Sequence, residues 1–326
     1  MKVHPMWEHY PTLQQDLTDV LDIIEKSIKI RDKNIEGTIK TMIYAGGKLL
    51  RPAFVILCSQ IGPDHDRQQA LHIAAALEVL HMATLVHDDI IDDADTRRGK
   101  QTLQSKFGKD HALYAGDYLF CICFKLLAIH SNNLGNIEFN TRAMEKILLG
   151  ELDQMAMRYN TDMTLKQYLK QISGKTAQLF ALSCYLGAEL SEASFKQKHA
   201  ARKIGHYIGM AFQILDDILD YTQGSENLGK PVLNDIKQGV YSLPLIYALN
   251  QNREAFKPYL AKKEQLSDED LDTVLALIQT YHGVEKAQEL ASKYTSKALN
   301  LINSLPEGEY KKDMLNITTS LLKRTL

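Results

Sequence analysis

Apolar residues recur along this chain at three- and four-residue intervals and almost nowhere in strict alternation, which predicts helices and no sheet. Tyr10 to Ile30 carries Leu13, Leu17, Val20, Leu21, Ile24 and Ile28, a one-sided helix suited to the outside of a bundle. A second helix with Phe54, Val55, Leu57, Cys58 and Ile61 ends at Gly62-Pro63. Ala70 to Val86 is apolar but for His72, Glu78 and His81, the pattern of a helix buried on most of its circumference. Ala112 to Ile129 reads the same way, with Tyr114, Leu119, Phe120, Phe124 and Leu127 as core. Ile137–Met157, Leu165–Leu190 and a run from Ile204 to Tyr221 continue the series. No proline interrupts the chain between Pro63 and Pro231, and single glycines such as Gly99, Gly108, Gly150, Gly174 and Gly187 read as helix ends. From Lys257 onward the chain is polar and amphipathic, with an N-cap and acidic first turn at Leu266-Ser267-Asp268-Glu269-Asp270-Leu271. The fold class is all-α. Length alone would allow two domains, but the unbroken helical pattern predicts one domain over 1–326, with a motif-bearing core at about 37–250 and a helical cover at 251–326.

The formal net charge of −2, with 38 basic and 40 acidic residues, excludes a general field that would draw the chain to nucleic acid or an anionic membrane. The four cysteines, Cys58, Cys121, Cys123 and Cys184, lie in apolar helical runs, and Cys121 and Cys123 project about 200° apart on a helix, a poor metal pair. A reduced, cytoplasmic protein is the economical expectation. The first eleven residues lack a signal-peptide core, and no run reaches the ~18 apolar residues of a membrane span, so the protein is expected not to be transmembrane.

Candidate chemistry begins where the Ala70–Val86 helix runs into His87-Asp88-Asp89-Ile90-Ile91-Asp92-Asp93-Ala94-Asp95-Thr96-Arg97-Arg98-Gly99. Asp88 and Asp92, four apart, project within about 40° of each other. Two carboxylates held that close need a cation, and at a helix C-terminus each also opposes the macrodipole by roughly 0.3–1 kcal/mol. The device recurs in Phe212-Gln213-Ile214-Leu215-Asp216-Asp217-Ile218-Leu219-Asp220-Tyr221, where Asp216 and Asp220 repeat the spacing and Gln213 falls on their face. One such cluster could be a solvated helix end; two on apolar helices point to a hard divalent ion, which carboxylate oxygens select. The first stretch lacks the glycine position of a calcium loop.

Several cations stand apart from these acids. Ala45-Gly46-Gly47-Lys48-Leu49-Leu50-Arg51-Pro52 places Lys48 and Arg51 three apart after a glycine pair, though without the spacing or hydroxyl of a P-loop. Arg97 and Arg98 follow the first acids, Lys175 interrupts an apolar helix in Ser173-Gly174-Lys175-Thr176-Ala177, and Lys230 sits in a Gly229-Lys230-Pro231 loop. Magnesium that keeps waters and bridges to phosphates, together with such cations, suits a diphosphate substrate. No serine, cysteine or lysine is paired with a histidine by any nucleophile motif. The chemistry expected is electrophilic: assistance to a departing diphosphate in an apolar cavity. His81, seven residues before Asp88, projects about 20° from it and shares the acidic face.

In order, Gly46-Gly47-Lys48 with Arg51, Asp88-Asp89-x-x-Asp92 with Arg97-Arg98-Gly99, Lys175-Thr176, and Gln213 before Asp216-Asp217-x-x-Asp220 resemble the motifs of the trans-isoprenyl diphosphate synthases, over roughly residues 37–250. The resemblance implies an all-α fold around a deep central cavity and a usual dimer. It implies three Mg²⁺ ions, with Asp88, Asp92 and Asp216 holding metal on an allylic diphosphate and Asp220 in support. Arg97, Lys175, Gln213 and Lys230 would contact that substrate, and Lys48, Arg51, His81 and Arg98 would bind isopentenyl diphosphate. The implied reaction ionises the allylic diphosphate, condenses it with isopentenyl diphosphate and loses a proton to the released pyrophosphate.

Ala83 and Thr84 stand where short-chain members commonly carry a blocking aromatic. With Ala76 and Leu80 they mark the expected chain-length face, and the product should exceed farnesyl length. The resemblance is nearest to the catalytic subunit of two-component bacterial hexaprenyl or heptaprenyl diphosphate synthases, which implies a homodimer or a heterodimer with a small regulatory subunit, loosely membrane-associated through its product. A geranylgeranyl diphosphate synthase is the alternative. A class I terpene cyclase would have replaced the second motif, and a silent subunit would have lost motif residues; neither has happened here.

Overall fold

A computed structural model describes residues 3–45, 47–129, 134–222 and 234–322, with side chains outside 134–140 and 234. Among the described residues the regular structure is helical except for one pair of two-residue strands, as the three-and-four periodicity requires. The chain divides into two compact units, one of Met1–Phe139, Ser183–Ala201 and Pro306–Asp313, the other of Asn140–Leu182, Arg202–Leu305 and Met314–Leu326.

The first unit is built on the helix that carries the first acids, α4 (Arg67–Ile91), which packs on α1 (Pro11–Ser27), α3 (Leu50–Cys58) and α6 (Lys109–Ile129). Asp66 starts α4 by accepting a hydrogen bond from the Gln69 amide. Ala70, Ala74, Ala75, Ala76 and Ala83, each at most 1 % exposed, let neighbouring helices approach closely. All six apolar positions expected on α1 and at its end are buried. α9 (Gln178–Leu190) and α10 (Phe195–Thr222) each run through both units, and within the second unit Gly205 of α10 comes close to Phe180 of α9: a Cβ at Gly205 would fall 2.2 Å from the Phe180 carbonyl oxygen. The capping box expected near Leu266 forms between Ser267 and Asp270.

Four local expectations are corrected. Gly99 does not end a helix: α4 stops at Ile91 with Asp92 as its C-cap, and Arg98 (φ 50°) and Gly99 (φ 73°) make the tight turn of a hairpin pairing Thr96–Arg97 with Lys100–Gln101. Leu165–Leu190 is not one regular helix, because Ser173–Ala177 is a π-helical turn. Gly150, Gly174 and Gly187 lie at helix–helix contacts rather than at helix ends. The fourth correction concerns α6. It is not buried on all sides, since Leu113 (46 %), Tyr114 (73 %), Phe124 (51 %) and Ile129 (56 %) face outward. By length and composition α4 and α6 could each cross a membrane; 72 % of the apolar window of α4, however, is buried as core.

Candidate active site

The first acidic motif is sorted by the end of α4. Asp88 is half-buried and Asp92 exposed, whereas the Asp89 side chain is 3 % exposed and accepts a 2.7 Å hydrogen bond from Arg97 Nε. Burial pushes the Asp89 carboxyl up, partly offset by Arg97. The chain after the helix is pinned by the Ala94 amide on the Asp89 carbonyl and by Thr102 Oγ1 and Gln104 Nε2 on the Ala94 carbonyl. One acid of the three is therefore spent on fixing an arginine. Asp88 and Asp92, one helical turn apart, are the motif's other two acids.

The basic residues of the first unit converge beside it. The Arg98 guanidinium rests on Gly47, where a Cβ would lie 2.8 Å from Nη1, so the glycine makes room for the arginine. Fully buried Trp7 donates from Nε1 to the Lys48 carbonyl oxygen at 2.9 Å, and Leu49 takes a left-handed φ of 50° ahead of α3. The Arg51 Nε has essentially no accessible surface, and burial lowers that side chain's pKa to about 10 despite nearby Glu78. His81 is held well below its usual range by burial and by Arg51, Arg98 and Arg97. A cavity of about 40 Å³ is lined on its polar side by Gly47, Glu78, Asp89, Arg97, Arg98 and Lys100, and on its apolar side by residues such as Ile43, Met82 and Leu85. The structure thus brings together Arg51, His81, Arg97 and Arg98 as four of the expected site residues, with the Lys48 backbone held alongside. Glu78 and Trp7 join them unforeseen. Glu78 was visible as the lone acid of an apolar run, and Trp7 as the chain's single tryptophan.

The second unit repeats the arrangement. Asp216 is exposed and Asp220 half-buried, while the middle residue, Asp217, is buried and accepts hydrogen bonds from Tyr168 Oη (2.5 Å) and Gln213 Nε2 (2.7 Å). Desolvation pushes the Asp217 carboxyl up to about 7 against both bonds. Thr176 Oγ1 donates to Gln213 Oε1 at 2.7 Å, completing a line Thr176–Gln213–Asp217–Tyr168. Lys175 stands in the π-turn, a deformation common at functional sites, with Nζ 2.8 Å from Glu151 Oε2 and 2.7 Å from Gln154 Oε1. That reach depends on two glycines: a Cβ at Gly150 would sit 2.5 Å from the Lys175 amide nitrogen, and one at Gly174 2.9 Å from the Lys146 carbonyl oxygen. Tyr168, 49 residues from its acid, gave no signal in the sequence. Lys230 lies outside the described residues.

Ala76, Leu80 and Ala83 are at most 2 % exposed, and Thr84 is half-buried with Oγ1 donating to the His81 carbonyl. Ala83 precedes His87 by four residues, hence shares its side of α4. The His87 ring stacks on Phe120 of α6 (5.5 Å between centroids) and abuts Gly116. The face marked for chain length is therefore the one turned to α6.

Among the described residues no group of three or more His, Cys, Asp or Glu side chains could hold a metal by itself. Each motif instead carries two carboxylates one helical turn apart, Asp88 with Asp92 and Asp216 with Asp220, oxygen ligands of the kind a hard ion takes together with water and phosphate oxygens. The Polyprenyl synthetase family model matches residues 32–278. The chain belongs to that family. It is 36 % identical to heptaprenyl diphosphate synthase component 2 of Geobacillus stearothermophilus over 97 % of this chain and 98 % of that protein. Among solved structures, a geranylgeranyl pyrophosphate synthase from Lactobacillus brevis superposes with TM-score 0.94 at 42 % identity, covering 98 % and 99 % of the two chains. Heptaprenyl diphosphate synthase from Staphylococcus aureus gives 0.89 at 35 %, covering 96 % and 99 %. This synthase thus has the all-α isoprenoid synthase fold and is a trans-prenyl diphosphate synthase, of a family that needs a divalent metal for catalysis.

Proposed function

We propose that this synthase extends farnesyl diphosphate with isopentenyl diphosphate to an all-trans medium-chain polyprenyl diphosphate. The observation that carries the length is the small pair Ala83 and Thr84 one turn ahead of the first acids, supported by the heptaprenyl synthases at 35–36 % identity. Lys48, Arg51, His81 and Arg98 take the diphosphate of isopentenyl diphosphate, and Arg97, Lys175, Gln213 and Lys230 that of the allylic substrate. Asp88, Asp92, Asp216 and Asp220 would hold three Mg²⁺ ions, which supply charge neutralisation to the leaving diphosphate. The allylic C–O bond breaks as the cations take up the developing charge. The isopentenyl double bond then attacks the allylic cation, and a proton passes to the released pyrophosphate, since the described residues place no serine or cysteine nucleophile with a base at either motif.

The outward stripe of Leu113, Tyr114 and Phe124 on α6 is the surface we assign to a second subunit, either another copy or a small regulatory chain. We place the protein in the cytoplasm, its long product drawing it loosely to membranes. The Lactobacillus brevis resemblance favours a second reading, a geranylgeranyl product. Chromatography of dephosphorylated products from purified protein given farnesyl diphosphate, isopentenyl diphosphate and Mg²⁺ decides: prenyl alcohols beyond geranylgeraniol support the proposal, and arrest at geranylgeraniol overturns it.

A further inference from the structure

We infer that Trp7 is a positioning residue for the isopentenyl diphosphate subsite, fixing through its indole N–H the backbone that carries Lys48; the inference rests on reading the basic group around Lys48 as that subsite. Residues 47–49 belong to no helix or strand, so no regular ladder of backbone hydrogen bonds sets their direction. A tie from elsewhere in the chain does. Trp7 Nε1 donates to the Lys48 carbonyl oxygen at 2.9 Å across 41 residues of sequence. The neighbours of Lys48 are constrained on both sides. Gly47 lies against the Arg98 guanidinium with no room for a Cβ, and Leu49 is held at φ 50°, a left-handed conformation that a bulky side chain keeps only where its surroundings impose it. Leu49 is 5 % exposed, and its carbonyl accepts from the Ala53 amide in the first turn of α3, the helix that carries Arg51.

The anchor behind this hydrogen bond is itself tied down. Trp7 is fully buried, stands edge-on to Tyr10 with 6.2 Å between ring centroids, and accepts from the Tyr10 amide at 2.9 Å just ahead of α1. The 3₁₀ turn Pro5–Trp7 that carries it is capped by His4, whose Nδ1 accepts from the Met6 amide at 3.2 Å. Burial, then Lys48 and Arg98, hold His4 below its ordinary range, in keeping with the place of the turn beside those cations. A buried indole N–H needs an acceptor, and here the acceptor is the backbone of the site. A lysine on an untied loop spreads its charge over many backbone and side-chain states; holding its carbonyl restricts the Lys48–Leu49 peptide and narrows the directions the ammonium group can take. Being buried, the indole does not meet substrate and acts through that backbone.

The test compares wild type with Trp7→Phe and with protein carrying β-(3-benzothienyl)alanine at this position, an isostere in which sulfur replaces the indole N–H; because Trp7 is the single tryptophan, that replacement changes one site. Both Michaelis constants and the melting temperature are measured for each. Both replacements should raise KM for isopentenyl diphosphate roughly three- to tenfold, the scale of one hydrogen bond, and leave KM for farnesyl diphosphate within about twofold. In a Lys48→Ala background the added rise should be smaller than in wild type, because the indole acts through that lysine. A role in packing alone predicts instead that the isostere, which keeps the ring, has wild-type constants, while Trp7→Phe lowers the melting temperature and raises both constants alike; that result overturns the inference. Should Trp7→Phe fail to fold, the isostere decides by the same criterion. An unchanged KM for isopentenyl diphosphate in Lys48→Ala would overturn the subsite and the inference together; a raised constant there, with wild-type constants in the isostere protein, overturns the inference alone.

Discussion

Removing one oxygen from the second motif should reveal how Asp217 is held. Tyr168 is 1 % exposed and Asp217 8 %, so Tyr168→Phe leaves a buried carboxyl with Gln213 as its remaining side-chain donor among the described residues and admits little water. Loss of one hydrogen bond to a buried group costs ~1–3 kcal/mol, a few degrees of melting temperature for a chain of this size. The cost depends on pH in a direction the structure sets. The Asp217 carboxyl is raised from 3.8 to about 7 by desolvation. Folding therefore favours its protonated form: its contribution to stability is full below about pH 4, falls as pH rises toward 7 and is flat above. The Tyr168 bond works against that rise, so its removal should carry the pKa higher and weigh most where Asp217 is ionised. The assay is thermal unfolding in EDTA at pH 5 and pH 8. Tyr168→Phe should lower the melting temperature at pH 8 clearly more than at pH 5, and Asp217→Asn should flatten the difference between the two pH values. Equal losses at both pH values would refute the reasoning, as would none.

Other consequences are measurable on the same protein. Asp88→Ala or Asp216→Ala should lower turnover at least ~10²-fold, the scale of one lost transition-state stabiliser, and EDTA should abolish it; normal turnover in either variant removes that residue from the site. Lys48→Ala and Arg51→Ala should raise KM for isopentenyl diphosphate more than that for the allylic substrate, with Lys175→Ala showing the opposite bias, each contact being worth roughly 1.5–3 kcal/mol; equal effects on both substrates would undo the division. Gly150→Ala, whose new Cβ would meet the Lys175 backbone nitrogen at 2.5 Å, should destabilise the helix pair and cut allylic binding together; a stable, fully active variant would show that the close approach is dispensable. Ala83→Phe should shorten the product to farnesyl or geranylgeranyl length and Ala76→Phe should shorten it less. An unchanged product with a lowered melting temperature would mean that phenylalanine merely overpacks the α4–α6 contact by about 1–3 kcal/mol.

What the sequence made legible was local. Asp88 with Asp92, and Asp216 with Asp220, are each separated by one helical turn, so their shared direction follows from residue spacing alone. The N-cap at Ser267 is equally local. The inward turn of Asp89 and Asp217 was not legible, because it depends on Arg97 in a hairpin and on Tyr168, 49 residues away. The hairpin itself escaped notice since each strand has two residues, too few to show alternation. Gly150 and Gly174 looked like helix ends because a glycine written in a sequence does not say whether it bends a chain or admits a neighbour. Tyr114 and Phe124 looked like core because apolarity predicts burial without naming what does the burying, and in α6 that face is left outward by its own chain.

The central claim of the proposed function is that each acidic motif takes part in holding the divalent metal that accompanies an allylic diphosphate. Mn²⁺ binding, followed by electron paramagnetic resonance with a non-ionising farnesyl thiodiphosphate, tests it without turnover. Metal uptake should depend on the diphosphate and be lost in part in both Asp88→Ala and Asp216→Ala; undiminished uptake by either variant would contradict the account.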